Sequence, residues 1–592
     1  MRFQLSVSLA VGLAFVTASA AASEYYVATT GSDSNAGTMD APFATLQKGV
    51  NTAVAGDTVW IRGGTYKITT PASSSAGINF TKSGTSDTNR IKYWAVPGEV
   101  PVIDFSGMVI STSGYTNGFN VTGSYLHFKG LEIANVPMTM YSNNGVSVGG
   151  SAAYDIFESL NMHHNSGNGI FLGNKSGGGH LILNSDAHDN YDPNSNQGMG
   201  QNADGFGVHY QTSGATTIIR GCRAWWNSDD GYDLINQEVS VTVENSWAMG
   251  NGYANYGTTN PTDGNGNGFK MGSSKTGVRH LVQGNVAWKN KASGFYANHS
   301  TGGNTWYNNT SFQNGTQYNM LASPADMPDV TITLTGALAH IMRNNIGYPN
   351  KNSYMTGVDT MFNTWDLAIT PAAADFVSTS DPSVSGTGMS IESSGALGPR
   401  AADGGMPKID FLKLAAASKM IDKGTDVGLP FVGAAPDLGA YEYGATTTTS
   451  GTGGNGGAGG STAAGSGGRG GTGAGGRGGT GGGAPAGGTV GGTPAGGGGS
   501  GMIGTGTGGT PAGAGGAAGA PAGAGGSSAT GAAGATGGTS SGPDESGSGG
   551  CACAIEGPAG GAPTFSLAVF VALSSLSLRR RRARARAIRA RA

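Results

Sequence analysis

The sequence predicts an all-β fold, a right-handed parallel β-helix, on three observations. Asparagines at 165, 190, 227, 251, 290 and 314 each close a short run of alternating apolar residues, such as Leu160-Asn-Met-His-His164, Cys222-Arg-Ala-Trp-Trp226 and Asn285-Val-Ala-Trp-Lys289, at separations of 25, 37, 24, 39 and 24 residues. A second column, Gly169-Ile, Gly205-Phe, Gly231-Tyr, Gly268-Phe and Gly294-Phe, recurs in step at separations of 36, 26, 37 and 26. The chain before residue 445 is rich in Asn, Thr, Ser and Gly, the residues of turns, and only 12% of the whole is charged. A basic period of about 24 residues, with short β runs between Asn and Gly corners, suits a solenoid whose coils stack through parallel ladders. Leucine-rich repeats have a similar period, but their Leu-x-x-Leu-x-Leu pattern is absent.

The elements follow in chain order. Arg2 and the apolar run Leu5 to Val16, followed by Ala18-Ser-Ala-Ala-Ala22, read as a secretory signal peptide over residues 1–22. The run is too short to span a bilayer. Residues 23–444 form one compositional unit, the expected β-helix domain. Its entry reads as a strand at Tyr25-Tyr-Val, a turn at 31–37, a short amphipathic helix from Pro42 to Lys48, and a second strand near Val59-Trp-Ile. A helix there would cover the first rung, whose open edge would otherwise invite aggregation.

The repeat also locates insertions. Four residues separate the corner Asn from the Gly in the coils at 165, 227 and 290, but fifteen separate Asn190 from Gly205 and seventeen separate Asn251 from Gly268. Two coils therefore carry extra loops, at 191–201 and 252–264. They bracket the plain coil that holds Asp229, Asp230 and Asp233, which predicts a groove. The coils fade near residue 345, and 416–441 reads as a closing segment.

Residues 445–550 are Gly, Ala, Thr, Ser and Pro with almost no apolar bulk, so they cannot offset their ordering entropy and read as a disordered linker. No Gly-X-Y period supports collagen. In 551–592, Cys551-Ala-Cys553 precedes an apolar run of fourteen residues, Phe565 to Leu578, and then Arg579 to Arg582. An apolar run stopped by arginines is a membrane-retention signal, although this one is short for a stable span. The order of cysteine, apolar run and arginine cluster resembles the myxobacterial C-terminal sorting tag. That resemblance implies a secreted protein attached to the cell surface, touching the membrane only through the tail.

Three cysteines, one in the body and two in the tail, make no disulfide framework, and Cys222 reads as a buried apolar residue. The net charge of −3 hides an asymmetry: eight arginines against Glu556 give the tail +7, so the remainder carries −10. An acidic body argues against nucleic acid, and an acidic substrate would need a cation between it and the protein.

The chemistry gathers at three consecutive coils, in Asn202-Ala-Asp204-Gly-Phe, Asn227-Ser-Asp229-Asp230-Gly-Tyr-Asp233 and Asn267-Gly-Phe-Lys270. Counted from the Gly column, Asp204, Asp230 and Asn267 stand one residue before it, and Asp233 and Lys270 two after. Equivalent positions on adjacent coils lie about 4.8 Å apart. Positions −1 and +2 face opposite ways in a straight strand, so a joint site requires a corner at the Gly. Several carboxylates that close repel unless a cation lies among them. Oxygen ligands without His or Cys point to a hard ion, and Ca²⁺ fits best. Taken singly, each motif reads equally as turn residues. Their coincidence in one register, with Lys270, favours function.

A lysine whose pKa is lowered by an adjacent Ca²⁺ and by desolvation can act as a base. Its substrate needs an acidified C–H, and the C5 proton of a uronate supplies one. Removing that proton and expelling the C4 oxygen is β-elimination. At these residues the sequence resembles polysaccharide lyase family 9, pectate lyases and related enzymes on a right-handed parallel β-helix, over about Tyr25 to Tyr443. The resemblance implies that Asp204, Asp229, Asp230 and Asp233 are the Ca²⁺ ligands, that Lys270 is the Brønsted base, and that the partner is pectate, bound by a monomer.

Three other readings stay open on sequence alone: a rhamnogalacturonan lyase, a polygalacturonase-type hydrolase, and a non-catalytic carbohydrate-binding β-helix. The hydrolase shares Asn-x-Asp and Asp-Asp, but it leaves Asp233 and Lys270 unexplained and its His-Gly and Arg-x-Lys steps are missing. A binding module needs no lysine in register with carboxylates. Trp225, Trp226, Trp247, Trp288 and Trp306 are candidate sugar platforms, although tryptophan at coil positions favours core. His163, His164 and His209 lack ligand spacing and read as structural.

Overall fold

A computed structural model of the chain describes residues 22–173, 177–253, 262–324, 327, 329–382 and 395–445. The expected sorting tag, all but the first residue of the expected linker, and all but the last residue of the expected signal peptide lie outside them. Among the described residues no helix is long and apolar enough to cross a membrane.

The inner coils each contribute one strand to each of three parallel sheets, of twelve, ten and ten strands. The first sheet runs from Glu24–Val27 to Asp359–Met361, the third from Gly64–Lys67 to Ile346–Tyr348. The remaining ten strands, Ala76–Phe80 to Asn352–Ser353, form the sheet that carries the site. Strands are short, commonly three to five residues, because the interior of a coil holds only one or two inward side chains per face. Inward residues of successive coils stack on like residues. Phe206, Tyr232, Phe269, Phe295 and Tyr318 form a column with ring centroids 4.9, 4.6, 5.0 and 5.1 Å apart and near-parallel planes. Each such pair adds about 0.5–1.5 kcal/mol beyond area burial. The first four are the aromatic partners of the Gly column.

At the N-terminal end the helix Leu46–Thr52 lies over the first coils and buries Leu46, Gly49 and Val50. Thr45 caps it, its hydroxyl accepting the Lys48 N–H at 3.2 Å. Trp306 is in the interior. Of the other candidate platforms, Trp225, Trp247 and Trp288 lie on the outer face of the third sheet and Trp226 just past its strand, where Phe376, Leu397, Phe411, Leu414 and Leu438 cover them, so they are core residues of a second hydrophobic layer. Arg400 and Arg223 pin that covering segment by pairing with Asp186 at 2.6 Å each, and Arg223 also donates to the Ala396 and Gly398 carbonyls. Cys222 is fully buried, and burial pushes its thiol up to about 12.

Candidate active site

The turn from the third sheet into the site sheet is built on two side-chain columns, three residues apart in the coils without an insertion. In the first, each asparagine amide donates to the carbonyl oxygen of the next: Asn165 to Asn190, then Asn227, Asn251, Asn290 and Asn314, at 2.8–3.1 Å. Each amide also reaches a backbone carbonyl, as Asn227 reaches Ala187, so every donor is used. Beside this ladder the Gly column packs tightly. A Cβ on Gly231 would meet the Gly268 carbonyl oxygen at 2.7 Å and the Asn251 amide at 2.9 Å. Only glycine fits.

The second column stands one residue before the Gly. The backbone N–H of each member donates to the side chain of the one before it: Asn168 to Asn144, Asp204 to Asn168, Asp230 to Asp204, Asn267 to Asp230 and Ser293 to Asn267. Two aspartates therefore occupy the middle of an asparagine ladder. Their Oδ1 atoms serve the ladder, which frees Oδ2 for other work.

Past the Gly, the strands Tyr232–Gln237 and Phe269–Ser273 pair with Asp233 opposite Lys270. The chain bends at the Gly column, and the two sides meet. Lys270 Nζ lies 2.9 Å from Asp230 Oδ2 and 3.3 Å from Asp233 Oδ2. Asp204, Asp229 and Asp230 each place a carboxylate oxygen within 4.8 Å of the others. All five side chains are buried. Asp229, between the two columns, accepts the backbone N–H of Asn265.

The electrostatics follow from that burial. Burial, then the charges of Asp233, Asp229 and Asp230, push Asp204 well above the usual carboxylate range. Burial and Asp230 do the same to Asp229, and burial raises Asp230 against the pull of Lys270. Burial also presses Asp233 upward, but Lys270 and His209 outweigh it and leave Asp233 low. Burial acts to lower Lys270, yet Asp230, Asp233, Asp229 and Asp204 overcome it and hold the ammonium well above the ordinary lysine value. This differs from the lowered lysine the sequence suggests. Four carboxylates around one amine bind its proton, and only positive charge placed among them reverses the balance.

His209 is a residue the sequence reading passed over as structural. Its Nε2 lies 3.3 Å from Asp233 Oδ2, and it forms a second compact group of ligand atoms with Asp204 and Asp233. Counting parity would have found it: on Phe206–His209, Gly207 pairs with Asp233, so His209 two residues on shares the outward face.

The insertions also differ from expectation. Their described parts meet instead of standing apart as groove walls, because backbone groups there need partners. The Asp263 N–H donates to the Met199 carbonyl at 3.2 Å, Thr262 donates to Ser228, and Lys291 Nζ clamps the Thr262 and Gly264 carbonyls at 2.5 and 2.6 Å. The joined loops cover Ser228 and Asp229.

The residues fit a hard divalent cation. Asp233 Oδ1 is buried and accepts no hydrogen bond among the described residues. Three further carboxylates converge, so oxygen donors outnumber the single His209 imidazole, and no thiol is present in the group. Such a donor set suits Ca²⁺ better than a softer metal.

Fold and side chains define a parallel β-helix protein with an acidic, lysine-bearing site on one sheet. Residues 25–353 match the family described as Pel9A-like, right handed beta helix region. Pectate lyase L of Dickeya dadantii (strain 3937) is 36% identical over 422 residues, covering 71% of this chain and 90% of that protein. Pectate lyase L of Paenibacillus polymyxa (strain SC2) is 32% identical over 427 residues, covering 69% and 85%. The crystal structure of pectate lyase Pel9A superposes with a TM-score of 0.58 at 33% identity, covering 71% of this chain and 96% of that one. A solved rhamnogalacturonan lyase gives 0.57 at 30% identity, covering 67% and 97%. The chain belongs to the Pel9A-like right-handed β-helix family and is a polysaccharide lyase of pectate-lyase type.

Proposed function

We propose that the protein is a Ca²⁺-dependent lyase that cleaves pectate by β-elimination, with Lys270 as the base. The observation that carries this reading is the placement of Lys270 Nζ within 3.3 Å of Asp230 and Asp233, beside carboxylates of Asp204 and Asp229. Asp204, Asp229, Asp230 and Asp233 would hold Ca²⁺. When bound, the ion offsets the carboxylate charge that keeps Lys270 protonated and pairs with the uronate carboxylate, which acidifies C5–H.

The protein's own residues do the rest. Asp233, held by His209 and in register with Lys270, fixes the direction of the amine. Lys270 Nζ takes the C5 proton; the C5–H pair becomes the C4=C5 double bond; and the C4–O bond breaks, with the leaving oxygen protonated from solvent.

A rhamnogalacturonan backbone is the second reading, favoured by the structural match to the rhamnogalacturonan lyase. It offers the same uronate C5–H. The test is to incubate the protein with each polymer, with and without chelator, and follow the ultraviolet absorbance of unsaturated product. A chelator-sensitive rise on polygalacturonate supports the reading. A rise confined to rhamnogalacturonan transfers it to that polymer, and reducing ends without absorbance sink it in favour of hydrolysis.

The Arg-flanked start and the Cys551, apolar and Arg579–Arg582 pattern support secretion and attachment at the cell surface. Mass spectrometry of the mature termini, with surface proteolysis of intact cells, tests this. The enzyme is expected to act as a monomer, which light scattering of the purified protein checks.

A further inference from the structure

The outward row of the site sheet runs unbroken past the reaction centre. Register pairs Asn120 with Ser147, Ser147 with Phe171, Phe171 with Gly207, Gly207 with Asp233, Asp233 with Lys270, Lys270 with Tyr296 and Tyr296 with Asn319. Most members are small or polar, and two are aromatic. Phe171 lies two rungs before Asp233 and Tyr296 one rung after Lys270, so at ~4.8 Å per rung they are about 19 Å apart. Both rings are partly exposed, in a sheet whose inward aromatics are fully buried.

Each ring packs against a histidine, Phe171 against His209 at 5.0 Å and Tyr296 against His299 at 6.1 Å, with steep angles between the ring planes. Between Phe171 and Asp233 the row carries no side chain, because a Cβ on Gly207 would meet the Asn168 amide at 2.3 Å. The Phe171 ring and His209 Nε2 close over that position, 3.3 and 3.4 Å from where the Cβ would stand.

The direction of a bound polymer follows from what is closed. A chain lying along the strands would have to leave over Ser228 and Asp229, where the two insertions join through Asp263 and Met199 and through Thr262 and Ser228. A chain lying across the strands meets no such bridge among the described residues. Its path is the row itself.

We propose that Phe171 and Tyr296 are sugar-ring platforms on opposite sides of the reacting unit, for an acidic polysaccharide lying across the strands along this row. This rests on the lyase reading above. A pyranose presents a face of C–H groups to the electron-rich face of an aromatic ring, a contact that tolerates uronate carboxylates because they project from the ring edge. Platforms on both sides of the cleaved bond suit attack within a chain.

Binding and cleavage are measured separately so that the two readings fail separately. Calorimetric titration of Lys270→Ala protein with a polygalacturonate oligomer long enough to span the row reports binding without turnover. Phe171→Ala and Tyr296→Ala, each added to that background, are expected to weaken binding roughly five- to tenfold, and Phe171→Tyr and Tyr296→Phe, which keep the rings, to leave it within twofold. A trimer, too short to reach both rings, should lose less. In the active protein the same alanine changes should raise KM for the polymer by a similar factor. Unchanged oligomer affinity in both alanine variants, with normal circular dichroism, overturns the platforms whatever the catalytic result. Weakened affinity in a protein that forms no unsaturated product upholds the platforms and removes the lyase chemistry instead.

Discussion

Two side-chain columns in one turn use the same hydrogen-bond device to different ends. In the column of Asn165 to Asn314 every side chain is saturated: Asn227 accepts from the backbone and amide of Asn190 and donates to Asn251 and the Ala187 carbonyl. In the column of Asn144 to Ser293, Asp230 keeps the accepting half of that arrangement, since its Oδ1 receives the Asn267 backbone and amide at 2.6 and 2.9 Å. Its Oδ2 turns to Lys270. One oxygen in place of one NH₂ converts a strut into a charged ligand without disturbing the backbone. A solenoid can therefore acquire a site by changing the chemistry of a ladder that already has its geometry.

The comparison can be broken from either side. The largest effect is expected from Lys270→Ala, which should cut formation of unsaturated product by about 10²- to 10⁴-fold, the range for loss of a general base, with circular dichroism unchanged. Reciprocal exchanges come next. Asn227→Asp removes two donors and sets a buried anion against the oxygens of Ala187 and Asn251, so it should destabilise by about 3 kcal/mol or more in denaturant unfolding. Asp230→Asn keeps the ladder acceptor, so it should abolish activity while leaving the fold in place. If Asn227→Asp proved harmless, the distinction between the columns would fail.

Two smaller effects sharpen the picture. Ca²⁺ at about 100 times its Kd should stabilise the protein by about 2.7 kcal/mol, read as a rise in Tm that chelator reverses. A third set of buried side chains, at the corner leaving the site sheet, titrates. Burial lowers His280 to about 4 and His340 to about 3, each accepting a backbone N–H through Nδ1. Their folded values lie below the unfolded value of about 6.5, so the unfolded chain binds more protons between the two. Stability should be complete above about pH 6.5 and fall through pH 4 toward 3. His280→Asn should flatten part of that slope in thermal melts across pH.

Much of this was legible in the sequence. The corner asparagines and the Gly-aromatic column are single residue types at fixed offsets, because only Asn closes the ladder and only Gly fits beside it, so the period, the fold class and the register of Asp233 with Lys270 could be counted. The ladder of Asn285, Asn309, Asn345 and Asn363 went unseen, since earlier coils fill that corner with Ser185, Cys222 and Ser246 and the pattern starts late. The cover over Trp225 and Trp288 was likewise hidden: outward parity says that a tryptophan needs a partner, but not that residues near Phe411 supply it. The charge of Lys270 depends on a sum over four carboxylates from two neighbouring coils, which no local motif states.

The central claim is that an aspartate in a ladder position holds the cation without being needed for the fold. Calorimetric titration of Ca²⁺ into wild-type and Asp230→Asn protein, paired with thermal unfolding of both in chelator, tests it directly. The account predicts that the wild type binds Ca²⁺, that the variant does not, and that the two unfold in chelator at the same temperature or with the variant slightly higher, because one buried like charge is gone. Equal Ca²⁺ affinity in the variant, or a Tm in chelator far below that of the wild type, would contradict it.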